Sequence, residues 1–269
     1  MITSTANAQI KELIRLMRKS RAREEAGVFL VEGPRMTGEL VSDPEWNGRI
    51  EKICLSESYL EKYAKDAEEL KKQVSGVELL SDSVFAHVSD TKTPQGILAV
   101  VKRKDYGMDD ILGKESEEPH ILVLDNLQDP GNLGTIFRTA EAAGVTGILM
   151  SRDCVDIYNP KVIRSTMGAV FRMPFLYVDD LPGAVIELKN RGIRAFAAHL
   201  EGRNTYDGEN YTGGTAFLIG NEGNGLRDEV AQCADCRIRI PMQGKAESLN
   251  AAVAAAVLMY EVNRQRRQK

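Results

Sequence analysis

A chain of 269 residues with 43% hydrophobic and 28% charged residues has the composition of a globular protein of two modest domains, not of a disordered or fibrous one. Its formal net charge of -4 at pH 7 carries no global signal for nucleic acid, so any basic surface must be local. No apolar run reaches the ~18 residues of a membrane span, residues 1–20 lack the apolar core of a secretory signal, and Cys54, Cys154, Cys233 and Cys236 read as reduced thiols of a cytoplasmic protein.

The first expected element is an amphipathic helix over residues 7–21, with Ile10, Leu13, Ile14 and Met17 on one face. Lys11, Arg15, Arg18, Lys19, Arg21 and Arg23 stand along and just beyond it, against Glu12 alone. From charge alone this run is a solvated helix face or an RNA-contacting one, with nothing to choose between them. A short strand over 28–31 runs into Glu32-Gly33-Pro34, and Pro34 opens a helix towards Val41. A strand over 49–55, a charged helix over 57–73, a strand over 77–80, a short helix over 82–88 and an apolar strand over 95–101 follow. The alternation argues a small α/β domain over residues 1–104. Residues 105–119, polar and broken by Gly107, Gly113 and Pro119, read as a linker with a short turn at Ile111 and Leu112.

Residues 120–269 open with the continuous apolar run Ile121 to Leu124, suited to a central parallel strand. A loop over 125–134, a helix over 135–143 ended by Gly144, a strand over 147–150 and a helix over 160–168 come next. Strands over 175–178, 194–198 and 216–219, with helices over 181–190 and 226–231, continue a doubly wound pattern. A short strand over 238–240 stops at Pro241, and a final helix begins at Leu249 with Ser248 as its expected N-cap. Two adjacent strand ends would thus release two glycine-bearing loops, which is where an open α/β sheet binds ligands.

The glycines exclude the common nucleotide readings. Gly220, Gly223 and Gly225 give G-x-x-G-x-G, not the dinucleotide fingerprint, and no Lys-Ser or Lys-Thr pair follows to make a P-loop. Cys233-x-x-Cys236 lacks a second cysteine pair, and only His87, His120 and His199 occur, so no metal site is expected.

Three stretches then carry a resemblance. They are Asp125 to Gly144 with Asn126, Asn132, Gly134 and Arg138; Ile219-Gly220-Asn221-Glu222-Gly223-Asn224-Gly225-Leu226; and Ile240-Pro241-Met242 through Ser248-Leu249-Asn250. In this order they resemble the motifs of the SpoU (TrmH-like) RNA 2'-O-ribose methyltransferases of the SPOUT superfamily. The resemblance implies a parallel α/β domain closed by a deep trefoil knot, with residues 213–269 threaded through, and S-adenosylmethionine as methyl donor. It implies a homodimer through the final helix, which is apolar nearly all round from Ala251 to Met259. Phe29-Leu30-Val31-Glu32-Gly33 and the run Thr93 to Val100 resemble the substrate-binding domain that precedes many SpoU domains and is similar to a ribosomal-protein RNA-binding fold. Residues 1–104 are then an RNA-binding domain, with Lys11, Arg15, Arg18, Lys19 and Arg23 as its expected contacts. Ribosomal RNA is the expected target, ahead of transfer RNA. The basic tail Arg264, Arg266, Arg267 and Lys269 either meets RNA or is solvated.

A ribose hydroxyl is a weak nucleophile, so such a site needs a group that takes or screens its proton and others that align it with the methyl. The resemblance gives the activating role to Arg138, as a general base or, more in keeping with a very high pKa, as an electrostatic activator; both stay open. Asn132 would hold the ribose or the arginine. Glu222 would orient Arg138 or accept from the ribose, and Ser248 and Asn250 complete the catalytic set. Gly220, Asn221, Ile240, Met242 and Leu249 are the expected cofactor contacts. Two other classes compete: a non-catalytic RNA-binding resistance or assembly factor, against which the intact polar set argues, and a dinucleotide-dependent enzyme, against which the missing fingerprint argues.

Overall fold

The basic N-terminal stretch folds as two helices, Ala8–Arg18 and Ser20–Ala26, broken at Lys19 where the backbone is extended. Arg23 explains the break. Its side chain turns inward and donates to the carbonyls of Leu16 (2.7 Å) and Met17 (3.4 Å), capping the end of the first helix. Its remaining nitrogens pair with Asp156, and the residue is 2% exposed. Arg23 is therefore a buried structural cation and is withdrawn from the RNA-contacting set. Lys11, Arg15, Arg18 and Lys19 are exposed, with Arg15 paired to Glu12 and Glu25.

The computed structural model describes residues 1–268; Lys269 of the basic tail lies outside the described residues. The chain divides into two units, Met1–Lys104 with Asp156–Phe171, and Asp105–Val155 with Arg172–Lys269. In the first, β1 (Val28–Glu32), β2 (Ile50–Ser56), β3 (Val77–Leu80) and β4 (Ile97–Lys102) form a sheet of order β1-β4-β2-β3, antiparallel at β4 and parallel between β2 and β3. Ile10, Leu13, Leu16 and Met17 pack with Leu30, Phe85, Leu98 and Val100 into one core, so burial, not propensity, holds the short first helix. The charged stretch after β2 is two helices, Glu57–Lys62 and Ala64–Gln73.

Residues 156–171 lie within the second half of the sequence yet belong to the first unit. Tyr158 stacks on Phe29 with ring centres 4.6 Å apart, the Trp46 indole N–H donates to the Phe171 carbonyl (2.8 Å), and Arg164 pairs with Asp90 (3.0 Å).

The second unit carries β5 (His120–Leu124), β6 (Gly147–Ser151), β7 (Phe175–Val178), β8 (Arg194–Ala198), β9 (Asn204–Thr205), β10 (Thr215–Ile219) and β11 (Cys236–Arg239). All pairs are parallel, in the order β7-β6-β5-β10-β8-β11-β9. Every residue of β5, β6 and β10 is buried, as expected of strands covered on both faces. β8 stands between β10 and β11, so the two glycine-bearing loops do not leave adjacent strands, as the sequence had suggested; a third strand end lies between them. Residues 105–119 include a helix, Met108–Leu112, whose Ile111 is fully buried in this unit's core.

Two helices position the site. Pro130–Ala143 starts earlier than the expected 135, because Pro130 suits the first turn and the Asp129 side chain accepts from the Asn132 N–H (2.8 Å). The final helix, Ala251–Arg266, packs against it and is capped by Asn250 rather than Ser248: the Asn250 side-chain oxygen accepts from the N–H groups of Ala252 (2.9 Å) and Val253 (3.3 Å). Among the described residues no helix is long and apolar enough to cross a membrane.

Candidate active site and cofactor cavity

At the carboxyl ends of β8, β10 and β11 the loops enclose a cavity of about 770 Å³, within the ~300–1,000 Å³ usual for small-molecule sites. Its apolar wall comes from Ile219, Leu226, Ile238, Ile240, Met242, Leu249 and Leu258, and its polar wall from the backbone and side chains of residues 220–225 and 247–248. Gly220, Asn221, Ile240, Met242 and Leu249, the expected cofactor contacts, all line it, as do Glu222 and Ser248. The loop after β10 folds tightly on itself, with Asn221 and Gly225 exchanging both backbone hydrogen bonds at 2.9 Å. A Cβ on Gly220 would lie 2.0 Å from the Gly225 carbonyl carbon, so only glycine lets this loop close.

Beside the cavity the three motif stretches are joined by side-chain hydrogen bonds. Glu222 accepts from the backbone N–H groups of Gln128 (3.1 Å) and Asp129 (2.8 Å), and from the side-chain amide of Asn132 (3.1 Å). Asn132 in turn accepts from the side-chain amide of Asn250 (2.9 Å), whose own oxygen caps the final helix. An ionised carboxylate only accepts, so the Asn132 amide can face Glu222 only with its nitrogen, and its oxygen is thereby aimed at Asn250. Burial by itself would raise the Glu222 carboxyl, but the donors from Asp129, Asn132 and Gln128 outweigh it and hold the group below its usual range. Asn221 adds a further tie, donating to the Asn126 carbonyl (2.7 Å). Beneath these, fully buried Asp125 at the end of β5 takes the Arg227 backbone N–H (2.8 Å) and its guanidinium Nε (2.8 Å), anchoring the loop after β10 to the one after β5.

Arg138 stands apart. It lies on the exposed face of Pro130–Ala143 with Gly131, Thr135 and Ala142, does not line the cavity, and makes no hydrogen bond or ion pair among the described residues. Glu222 makes no bond to it; that carboxylate takes four other N–H donors, those of Gln128, Asp129 and Asn132 and, at 3.5 Å, Asn221. Ser248 is exposed at the cavity wall and caps nothing. Among the described residues no group of three or more His, Cys, Asp or Glu side chains could hold a metal ion, and Cys233 and Cys236 bond only to nearby backbone and polar groups.

The family model of the SpoU rRNA Methylase family matches residues 119–260, more than half of the chain. The chain belongs to the SpoU rRNA methylase family. Residues 7–99 match the model of an MRM3-like substrate binding domain. Among curated relatives of this SpoU chain, the 23S rRNA (guanosine(2553)-2'-O)-methyltransferase RlmP of Bacillus subtilis is 32% identical over 97% of this chain and 98% of its own. Two solved structures are similar over nearly their whole length. The methyltransferase AviRb from Streptomyces viridochromogenes, in complex with the cofactor AdoMet, is 30% identical with a TM-score of 0.85, covering 97% of this chain and 98% of its own. An AdoMet-bound rRNA methyltransferase from Sinorhizobium meliloti is 28% identical with a TM-score of 0.84, covering 98% and 97%.

The SpoU motifs do not contain every residue at the site. Ala198, the last residue of β8, and His199, Leu200 and Glu201, which follow it, line the cavity, and Gln128, inside the first motif but not singled out there, joins Asn126 in the hydrogen-bonded network. The β8 end was not marked by any motif: its loop carries the single Gly202, and only the strand order places it between β10 and β11. Asn126, already marked in the first motif, adopts a left-handed backbone (φ 54) that asparagine tolerates better than most residues.

Proposed function

We propose that this chain transfers a methyl group from S-adenosylmethionine to a ribose 2'-hydroxyl of RNA, with ribosomal RNA as the target ahead of transfer RNA. The observation that carries this reading is the Glu222–Asn132–Asn250 relay, which joins all three SpoU stretches at the rim of a cavity of cofactor size. The cavity's chemistry suits the donor: an apolar wall for an adenosine and polar backbone for its ribose and amino-acid ends. When bound, S-adenosylmethionine supplies a methyl on a sulfonium that departs as a neutral thioether, so no leaving-group acid is needed. The chain's own part is to exclude water from the cavity, hold the acceptor ribose through the Asn132 and Glu222 edge, and lower the pKa of its hydroxyl with the Arg138 guanidinium. The preference for ribosomal RNA is supported by the RlmP likeness over the full chain and by the substrate-binding domain model on residues 7–99. Its four free thiols suit the cytoplasm, where such RNA resides.

The test is chemical. A 2'-O-methyl group protects the adjacent phosphodiester from alkali, whereas a base methyl does not. Ribosomal RNA from cells lacking the protein, incubated with purified enzyme and labelled S-adenosylmethionine, is expected to gain one alkali-resistant step. Labelled RNA that still cleaves at every step would refute ribose methylation.

We further propose a homodimer through the final helix, as well as the family's trefoil knot around residues 213–269. Val253 (49% exposed), half-buried Val257 and Tyr260 (48%) lie at i, i+4 and i+7, an apolar stripe on one face of this helix. The helix packs on Pro130–Ala143, so a second copy covering the stripe would also meet the free guanidinium of Arg138. Val253→Glu is expected to yield monomers with intact cofactor binding and little turnover. A wild-type chain sedimenting as a folded, active monomer at micromolar concentration would end the dimer proposal.

A further inference from the structure

Eight of the twelve arginines in the catalytic unit have their guanidinium groups engaged within the chain. Arg152, Arg172, Arg191, Arg194, Arg227 and Arg264 each pair with a carboxylate. Arg266 donates to the carbonyls of Glu118, Pro119 and Gly213, and Arg267 to that of Asn263. Apart from Arg138, the side chains of this unit's arginines that make no hydrogen bond or ion pair among the described residues are Arg203, Arg237 and Arg239. These three are not scattered. Arg237 and Arg239 lie on β11 and Arg203 just before β9, the last two strands at one edge of the sheet.

Arg237 and Arg239 flank Ile238 in β11. Ile238 is fully buried, so the alternation of side chains along a strand puts both arginines on the opposite, exposed face, about 6.6 Å apart along the strand. Arg203 immediately precedes β9, which pairs with β11 in parallel register, Ile238 to Asn204 and Arg239 to Thr205. The chain is held close there, since a Cβ on Gly202 would come within 2.5 Å of the Ile238 carbonyl carbon. Arg239 also lines the cofactor cavity, so the row runs from the sheet edge to the cavity wall. Asp235, two residues before Arg237, is held by Lys189 and by the Ala195 N–H, and no carboxylate among the described residues forms an ion pair with the row. Glu209 is bonded to Arg194 and Asn204, while Glu201 and Glu247 line the cavity without pairing with any arginine.

We infer that Arg203, Arg237 and Arg239 form a phosphate-binding row that carries the substrate RNA strand across the catalytic unit to the cavity. The inference rests on the proposed RNA methyltransferase function. It adds a surface that the SpoU motifs do not include and that lies in a different unit from the basic helix Ala8–Arg18. Free guanidinium groups bind phosphate in a paired, planar fashion, and a chain of net charge -4 needs such a local row to approach a polyanion. Three contacts of this kind position a backbone without reading sequence, so they serve any strand that presents a ribose to the cavity.

The test uses the full-length protein and a labelled oligouridylate, because phosphate contacts do not depend on sequence. Arg203→Gln with Arg237→Gln, and the triple variant with Arg239→Gln, are compared with wild type across a salt series, with S-adenosylmethionine affinity measured by calorimetry. The triple variant is expected to lose roughly tenfold or more in RNA affinity at low salt, with the slope of log affinity against log salt falling by about 2, at ~0.7 per single-strand phosphate. The double variant is expected to bind S-adenosylmethionine within about twofold of wild type, which also shows that it is folded. RNA affinity and salt slope unchanged in the triple variant would overturn the row. So would a loss confined to S-adenosylmethionine binding in Arg239→Gln, which would make that arginine a cofactor contact only. A wild-type protein that binds the oligouridylate through these arginines but transfers no methyl to ribosomal RNA would refute the function and leave the row standing.

Discussion

Arg138→Ala is expected to lose at least on the order of 10²–10³-fold in turnover while keeping wild-type affinity for S-adenosylmethionine, the loss typical of removing one transition-state stabilising donor. The structure makes this a clean substitution. Arg138 is exposed, makes no hydrogen bond or ion pair among the described residues and does not line the cavity, so its removal leaves neither an orphaned partner nor a void there. Any large effect must then arise in the complex with substrate. Arg138→Lys is expected to recover little, since an ammonium is a point charge and cannot reproduce the planar fork. Single-turnover methyl transfer beside calorimetry separates the two quantities, and near-normal turnover in Arg138→Ala would remove the arginine from the chemistry.

Cutting the chain at Lys104 is expected to abolish soluble expression of the remainder, not to release a working catalytic half. The sequence pattern makes that cut attractive, because residues 105–119 read as a linker. In the fold, Ile157, Tyr158, Val162, Ile163, Val170 and Phe171 are buried in the first unit, with partners such as Phe29 and Trp46. Losing that cover exposes six large apolar side chains at ~1.5–3 kcal/mol each, comparable with the ~5–15 kcal/mol that holds a whole domain. A chain that lacks residues 1–104 and also has 156–171 replaced by a short Gly/Ser segment is expected to recover solubility and S-adenosylmethionine binding. Recovering a monodisperse, cofactor-binding chain of residues 105–269 with 156–171 intact would show that this burial is dispensable.

The elements and the chemistry of the site were legible in the residues themselves. Continuous apolar runs such as Ile121 to Leu124 and Phe217 to Ile219 announce strands buried on both faces, because hydrophobic period is set locally. Asn132, Glu222, Ser248 and Asn250, with Gly220, stood out by motif, and the cavity and its hydrogen-bonded rim contain them or adjoin them. Caps were less legible. Ser248 and Asn250 are both good N-cap residues, and only the backbone path shows which one meets the free N–H groups of Ala252 and Val253.

What the tertiary structure alone decided is which groups are already satisfied. Arg23 looks like its neighbours in the basic run, but Asp156, 133 positions away, holds it in the interior. Glu222 looks free to orient Arg138 until the turn after β5 brings it the N–H groups of Gln128 and Asp129 and the following helix the amide of Asn132. The β8 end enters the cavity because β8 lies between β10 and β11, an order set by packing between distant strands and not by any local pattern. Local propensity and periodicity depend on neighbours a few residues away, so they can be read along the chain. Whether a charge is buried, paired or left free for a substrate depends on partners far along the chain, and only the folded arrangement brings those together.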